Sequence, residues 1–147
     1  MSRQMKADVR LFTSAHELGH ILLHPKLRQA HRDRPLDGAS VSRDPIEREA
    51  DIFASSYLMP SKLVKERFSK LFQADQFELT DLTVFALWGA NGETARQMVK
   101  NRRQLSFILA TTERYNGKQV VSLASQFKVS PTAMAIRLEE LELLQFN

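Results

Sequence analysis

The stretch TSAHELGHILLHP, residues 13–25, places His16, Glu17, His20 and His24 in about three turns of a segment with helical periodicity. Three of the chain's four histidines lie in it. Positions i and i+4 of an α-helix are offset by about 40° and stand one turn apart. His16 and His20 can therefore present two imidazole nitrogens to one ion, with Glu17 beside them to accept a proton. His24 is another turn along, about 80° from His16, and is read as pointing past the ion. Against this stands an ordinary explanation, an apolar helix with polar residues on its wet edge. Gly19 costs ~1 kcal/mol relative to alanine inside a helix. Close approach of another backbone, of a substrate, or tight packing accounts for its presence.

Working outward, Val9, Phe12, Ala15, Gly19 and Leu22, flanked by Leu11, Leu18 and Leu23, give residues 5–24 the spacing of one helix with a broad apolar face. Pro25 ends it, because its ring and missing N–H cannot continue the ladder. Residues 25–43 hold two prolines, a glycine and many charges and read as a long loop. Asp44 as N-cap, Pro45 at the first helical position and Glu47 at the third open a second helix to about Leu58. Its apolar face is Ile46, Ala50, Phe53, Ala54 and Tyr57. A third helix starts near Pro60 or Ser61. Residues 73–93 are ambiguous, with a turn at WGANGE, and a basic helix is expected from about Thr94 to Thr112. RYNGK is a turn, and the chain finishes as helix, short turn, helix. The expectation is a mainly α fold, with a core over residues 1–72 and a C-terminal helical region over 73–147.

At 147 residues with 43% hydrophobic and 26% charged residues, the chain can bury a real core as one domain or a domain with an appendage. The absence of cysteine excludes disulfides and thiolate metal sites and fits a reducing, cytoplasmic setting. No apolar run approaches the ~20 residues of a membrane span, and the first residues lack the apolar core of a signal peptide. The net charge of +4 is uneven: residues 1–74 carry 13 Lys and Arg against 9 Asp and Glu, the remainder 8 against 8. A mild surplus of this kind is ordinarily solvated surface.

The arrangement His-Glu-x-x-His is that of zinc peptidases. A catalytic zinc takes three protein ligands and keeps one position open for water, whose pKa falls to about 7. The third ligand must come from elsewhere, and DPIEREADIFA offers Glu47, Glu49 and Asp51. With Ile46 at zero, the apolar face centres near 40°, and Glu47 and Asp51 fall at about 100° and 140°, on its border. Glu49 falls at about −60°, farther away. Glu47 and Asp51 are also i and i+4, so one carboxylate can bind metal while the other holds a ligand histidine through its second ring nitrogen. The rival role for Glu47 is a capping-box glutamate folded back on Asp44. One side chain cannot do both, and with Glu47 as cap, Glu49 becomes the fallback ligand.

The stretches RLFTSAHELGHILLH and IEREADIFASSYLMP together resemble the ImmA/IrrE metallopeptidases of bacteria, their phages and mobile elements. The likeness covers about residues 9–60 and again about 119–144, where VVSLASQFKVSPTAMAIRLEELELL is similar to the family's C-terminal helix-turn-helix-like segment. It rests on His-Glu-Leu-Gly-His, on Glu-x-x-Ala-Asp-x-Phe-Ala some 27 residues later, and on Leu-Met-Pro. The resemblance implies a gluzincin-like site with one zinc ion, His16, His20 and Glu47 as ligands and Glu17 as general base. The position of Asp51 is more often asparagine in the family. Members typically cleave a helix-turn-helix repressor and so release transcription under stress.

Two features depart from the family's pattern. A small sheet usually precedes the active-site helix, and a substrate commonly lies along such an edge as an added strand. Only about 15 residues precede His16 here, so the expectation is a chain that binds zinc, cleaves poorly alone, and covers its apolar face by self-association or a partner. Residues 61–118 are longer than the usual connection. In the terminal segment, Ser130 and Pro131 start a helix where a recognition helix would begin. Its Glu139, Glu140 and Glu142 beside Arg137 would repel phosphates, so direct specific DNA binding is not expected.

Two functions remain open at this point. One is a zinc endopeptidase making a site-selective cut in a protein, with Glu17 moving the proton and His31 or Tyr57 as candidate oxyanion stabilisers. The other is a regulatory protein-binding module that keeps the fold without cutting.

Overall fold

The computed structural model describes residues 3–25 and 44–147. In chain order these form α1 (Arg3–Leu23), α2 (Pro45–Leu58), α3 (Ser61–Phe72), β1 (Phe77–Glu78), α4 (Asp81–Trp88), a 3-10 turn (Gly89–Asn91) and α5 (Gly92–Met98). Then come α6 (Arg102–Thr111), β2 (Arg114–Tyr115), β3 (Lys118–Gln119), α7 (Leu123–Phe127), α8 (Pro131–Glu140) and β4 (Leu144–Gln145). The fold is mainly α with very short strands, as the sequence pattern implies.

Local chemistry sets the boundaries. The Asp44 carboxylate accepts the Ile46 N–H at 2.9 Å, which satisfies an orphan donor of α2. Thr80 and Thr83 cap α4 reciprocally, each hydroxyl accepting the other's backbone N–H. In the ambiguous 73–93 stretch the chain thus forms a short strand and a helix. The single basic helix expected over 94–112 is instead two helices. Asn101 accepts the Gln104 N–H at 2.8 Å while Gln104 Oε1 accepts the Lys100 N–H at 2.6 Å. A fresh helix start with its donors already satisfied competes successfully with continuing the old helix.

The turn at RYNGK closes an antiparallel hairpin of β2 and β3. Asn116 and Gly117 have φ of 54° and 77°, the doubly positive turn that matches the twist of paired strands. Strands β1 and β4 pair in parallel, Phe77 opposite Leu144, and tie the middle of the chain to its end. The terminal helix, short turn, helix is present as α7 and α8, with Ser130 capping and Pro131 leading α8.

Two apolar clusters hold these elements. Phe12, Ala15 and Ala54 join α1 to α2. A larger cluster begins at Met59 and gathers Phe68, Leu105, Leu109, Leu123, Met134 and Leu138 from α3, α6, α7 and α8. Each such fully buried side chain contributes roughly 1.5–3 kcal/mol. Leu58 packs against both clusters, and Arg137 Nε donates to the Met59 carbonyl at 3.0 Å, bracing α8 on the end of α2. Leu11, Ile21, Leu22, Leu23, Ile52 and Tyr57 of the α1–α2 pair remain exposed. Among the described residues no helix is long and apolar enough to cross a membrane.

Candidate metal centre

Helices α1 and α2 lie close because of one small residue. A Cβ added at Gly19 would stand 3.0 Å from the Phe53 ring and 3.2 Å from Phe53 Cβ. Across this contact His16 meets Glu47 and Asp51, His20 meets Glu47, and His24 meets Glu49. Of the alternatives left by the sequence, tight packing is the one found: the nearest atoms belong to the Phe53 side chain and not to another backbone.

That approach brings His16, His20 and Glu47 together. Glu47 Oε2 is 2.9 Å from His16 Nε2, Glu47 Oε1 is 3.1 Å from His20 Nε2, and the two Nε2 atoms are 2.9 Å apart. The rings meet edge to face, with centroids 4.5 Å apart, and both histidines are buried. Both Glu47 oxygens thus face the histidines, while the Asp44 side chain accepts from Ile46 N–H at the helix start. Glu49 lies elsewhere, 2.7 Å from His24 Nε2 and well exposed.

The donor set suits a zinc ion. His16 Nδ1 is 2.9 Å from Asp51 Oδ1 and His20 Nδ1 is 3.3 Å from His24 Nδ1. With both Nδ1 atoms carrying the protons, the two Nε2 lone pairs and both Glu47 oxygens converge as acceptors. Such convergence is repulsive unless a cation or a shared proton lies among them. Tetrahedral zinc with bonds of ~2.0–2.1 Å separates its donors by about 3.3 Å, so the site fits after shifts of a few tenths of an ångström. Two imidazoles and a carboxylate also leave the fourth position free for water or substrate. Asp51 Oδ2 is buried without a hydrogen-bond partner among the described residues, which concentrates the uncompensated charge beside His16.

Burial, the largest influence on His16, lowers its pKa. The hydrogen bond and charge of Asp51, with Glu47, outweigh it and leave the value raised above 6.5. Two carboxylates thus hold positive charge here, whether proton or metal.

Other expected site residues are placed less centrally. Glu17 follows His16 on α1 and is half-buried. Tyr57 is exposed and stacks on Phe53, with ring centroids 5.8 Å apart. His31 lies outside the described residues. His24 is not among the converging donors, but it is not idle either: its ring bridges His20 and Glu49. The i, i+4 repeat of 16, 20 and 24 was the available signal for that bridge. At the C-terminus, the Arg137 guanidinium donates to the Met59 carbonyl and meets Glu140 at 3.2 Å.

The family model of the IrrE N-terminal-like domain, peptidase M78, matches residues 2–100. The match takes in α1 to α5 and stops short of α6. No curated protein and no solved structure matches the chain.

Proposed function

The chain belongs to the ImmA/IrrE (M78) family of metallopeptidases, and from that premise we propose that it is a zinc-dependent endopeptidase whose substrate is a helix-turn-helix repressor. The observation that carries the zinc reading is the convergence of buried His16 and His20 with half-buried Glu47. The choice of a repressor rests on the family resemblance.

In this reading His16 and His20 bind through Nε2 and Glu47 through its carboxylate. Zinc held by them supplies a Lewis acid that polarises a carbonyl and makes water acidic near neutral pH. Asp51 keeps the His16 proton on Nδ1 and so turns its Nε2 lone pair inward. Glu17 takes the proton of the attacking water and returns it to the leaving amine nitrogen. Phe53, packed on Gly19, holds α2 and its carboxylates at the working distance.

The test is cleavage of purified helix-turn-helix repressors by the zinc-loaded wild type and by Glu17→Gln. Cleavage by the former and loss of at least about 100-fold in the latter, with zinc retained, is the expected result. Equal cleavage by both would remove Glu17 from the reaction. One observation favours the non-cleaving module instead: every strand among the described residues lies between 77 and 145, in the C-terminal half rather than on α1 or α2. In that case the zinc-loaded wild type binds the repressor and leaves it whole.

A further inference from the structure

The two ligand histidines are held by different devices. His16 meets a carboxylate of α2 directly. His20 meets another histidine, His24, one turn along its own helix, with the rings tilted by 52° and their centroids 5.5 Å apart. We propose that His24, backed by Glu49, is a positioning residue that keeps the proton of His20 on Nδ1 and its Nε2 lone pair turned to the metal. This rests on the metal-centre reading above.

The direction of the chain of bonds follows from its far end. The Glu49 carboxylate only accepts hydrogen bonds, so the His24 nitrogen 2.7 Å away is the donor, Nε2–H. In a neutral imidazole the other nitrogen then carries a lone pair. His24 Nδ1 is therefore an acceptor, and the group facing it at 3.3 Å, His20 Nδ1, must be the N–H. His20 Nε2 is left as a lone pair, 3.1 Å from Glu47 Oε1 and 2.9 Å from His16 Nε2. Each step leaves the next ring one tautomer.

The setting supports a lasting bond. The His24 backbone N–H donates to the His20 carbonyl at 2.8 Å, which holds the residue on the last turn of α1. The His24 side chain is only 11% exposed, whereas Glu49 is 59% exposed, so water reaches the outer acceptor more readily than the inner bonds. Glu47, Glu49 and Asp51 then divide the work of one short helix: ligand, remote anchor for His20, and direct anchor for His16.

The experiment reads tautomers and metal affinity rather than turnover. Long-range proton–nitrogen NMR on ring-labelled, metal-free chain reports which nitrogen of His20 is protonated, and chelator competition gives zinc affinity. Wild type is expected to show His20 as the Nδ1–H form. His24→Phe, which keeps a ring but no acceptor, should give mixed His20 tautomers and weaken zinc about 10–100-fold. Glu49→Gln keeps a carbonyl acceptor and should stay within a few-fold of wild type, while Glu49→Leu, on the surface and harmless to folding, should fall between the two. Unchanged His20 tautomer and zinc affinity in both His24→Phe and Glu49→Leu would overturn the proposal. A wild type that binds no zinc, with the His20 tautomer still changed in His24→Phe, would overturn the metal reading alone.

Discussion

Asp51 Oδ1 lies 2.9 Å from His16 Nδ1, while Asp51 Oδ2 is buried with no hydrogen-bond partner among the described residues. One oxygen orients the His16 ring and the other brings negative charge into the site at a desolvation cost. Asp51→Asn keeps an acceptor but removes the charge, so zinc should weaken by about 10-fold, toward the lower end for outer partners. Asp51→Ala should cost more. Chelator competition measures both, and equal affinity in all three chains would show that Asp51 does not support His16.

The same charge sets a pH dependence in the metal-free chain. Folding raises the His16 pKa above its value of 6.5, so the folded state binds this proton more tightly than the unfolded state does. The resulting stability is fully present below about pH 6.5 and disappears as pH rises through the raised folded value. Thermal unfolding of metal-free wild type and Asp51→Asn from about pH 5 to pH 8 checks it. Their difference should shrink as pH rises; a difference that grows with pH would reverse the sign of the coupling.

Glu47 and Glu49 sit two positions apart and should behave oppositely. Glu47→Gln should lose more zinc affinity than the ~10–100-fold typical of an outer partner, and Glu49→Gln should lose little. The reverse order would return Glu47 to its helix start and move the ligand to Glu49.

The placement of these carboxylates shows what a sequence can carry. Helical offsets are local, so the His16–His20 pair and the shared border of Glu47 and Asp51 were legible from spacing. Which role Glu47 takes was not, because it depends on Asp44 finding Ile46 N–H and on α1 arriving opposite. The break between α5 and α6 was hidden by a run of basic residues with good periodicity, although Asn101 and Gln104 stood at capping distance. The pairing of β1 with β4 joins two-residue strands far apart in the chain, a contact no window-based pattern contains. The tie of His24 to Glu49 is not legible from spacing along α1, since Glu49 comes from the other helix.

Gly19 should tolerate little. Alanine there gains up to ~1 kcal/mol of helix propensity but presses on Phe53, so Gly19→Ala should be near neutral. Gly19→Val should destabilise by about 1–3 kcal/mol through overpacking and weaken zinc by moving α2. Denaturant unfolding and chelator competition test the pair. A fully stable Gly19→Val chain with unchanged zinc affinity would mean that the helix approach does not set the site.

Arg137 offers a contrast with a DNA-reading residue. Its bonds to Met59 and Glu140 make it a brace, so Arg137→Ala should lose roughly 1–3 kcal/mol of stability. Weak, salt-sensitive association with DNA should be unchanged. Loss of a sequence-specific footprint with stability intact would make α8 a recognition helix.

The central claim is tested most directly by elemental analysis of the purified chain after dialysis against limiting zinc, beside His16→Ala treated alike. The account predicts about one zinc per chain in the wild type and almost none in the variant, since two remaining donors cannot hold the ion tightly. Full zinc content in His16→Ala, or none in the wild type, would contradict it.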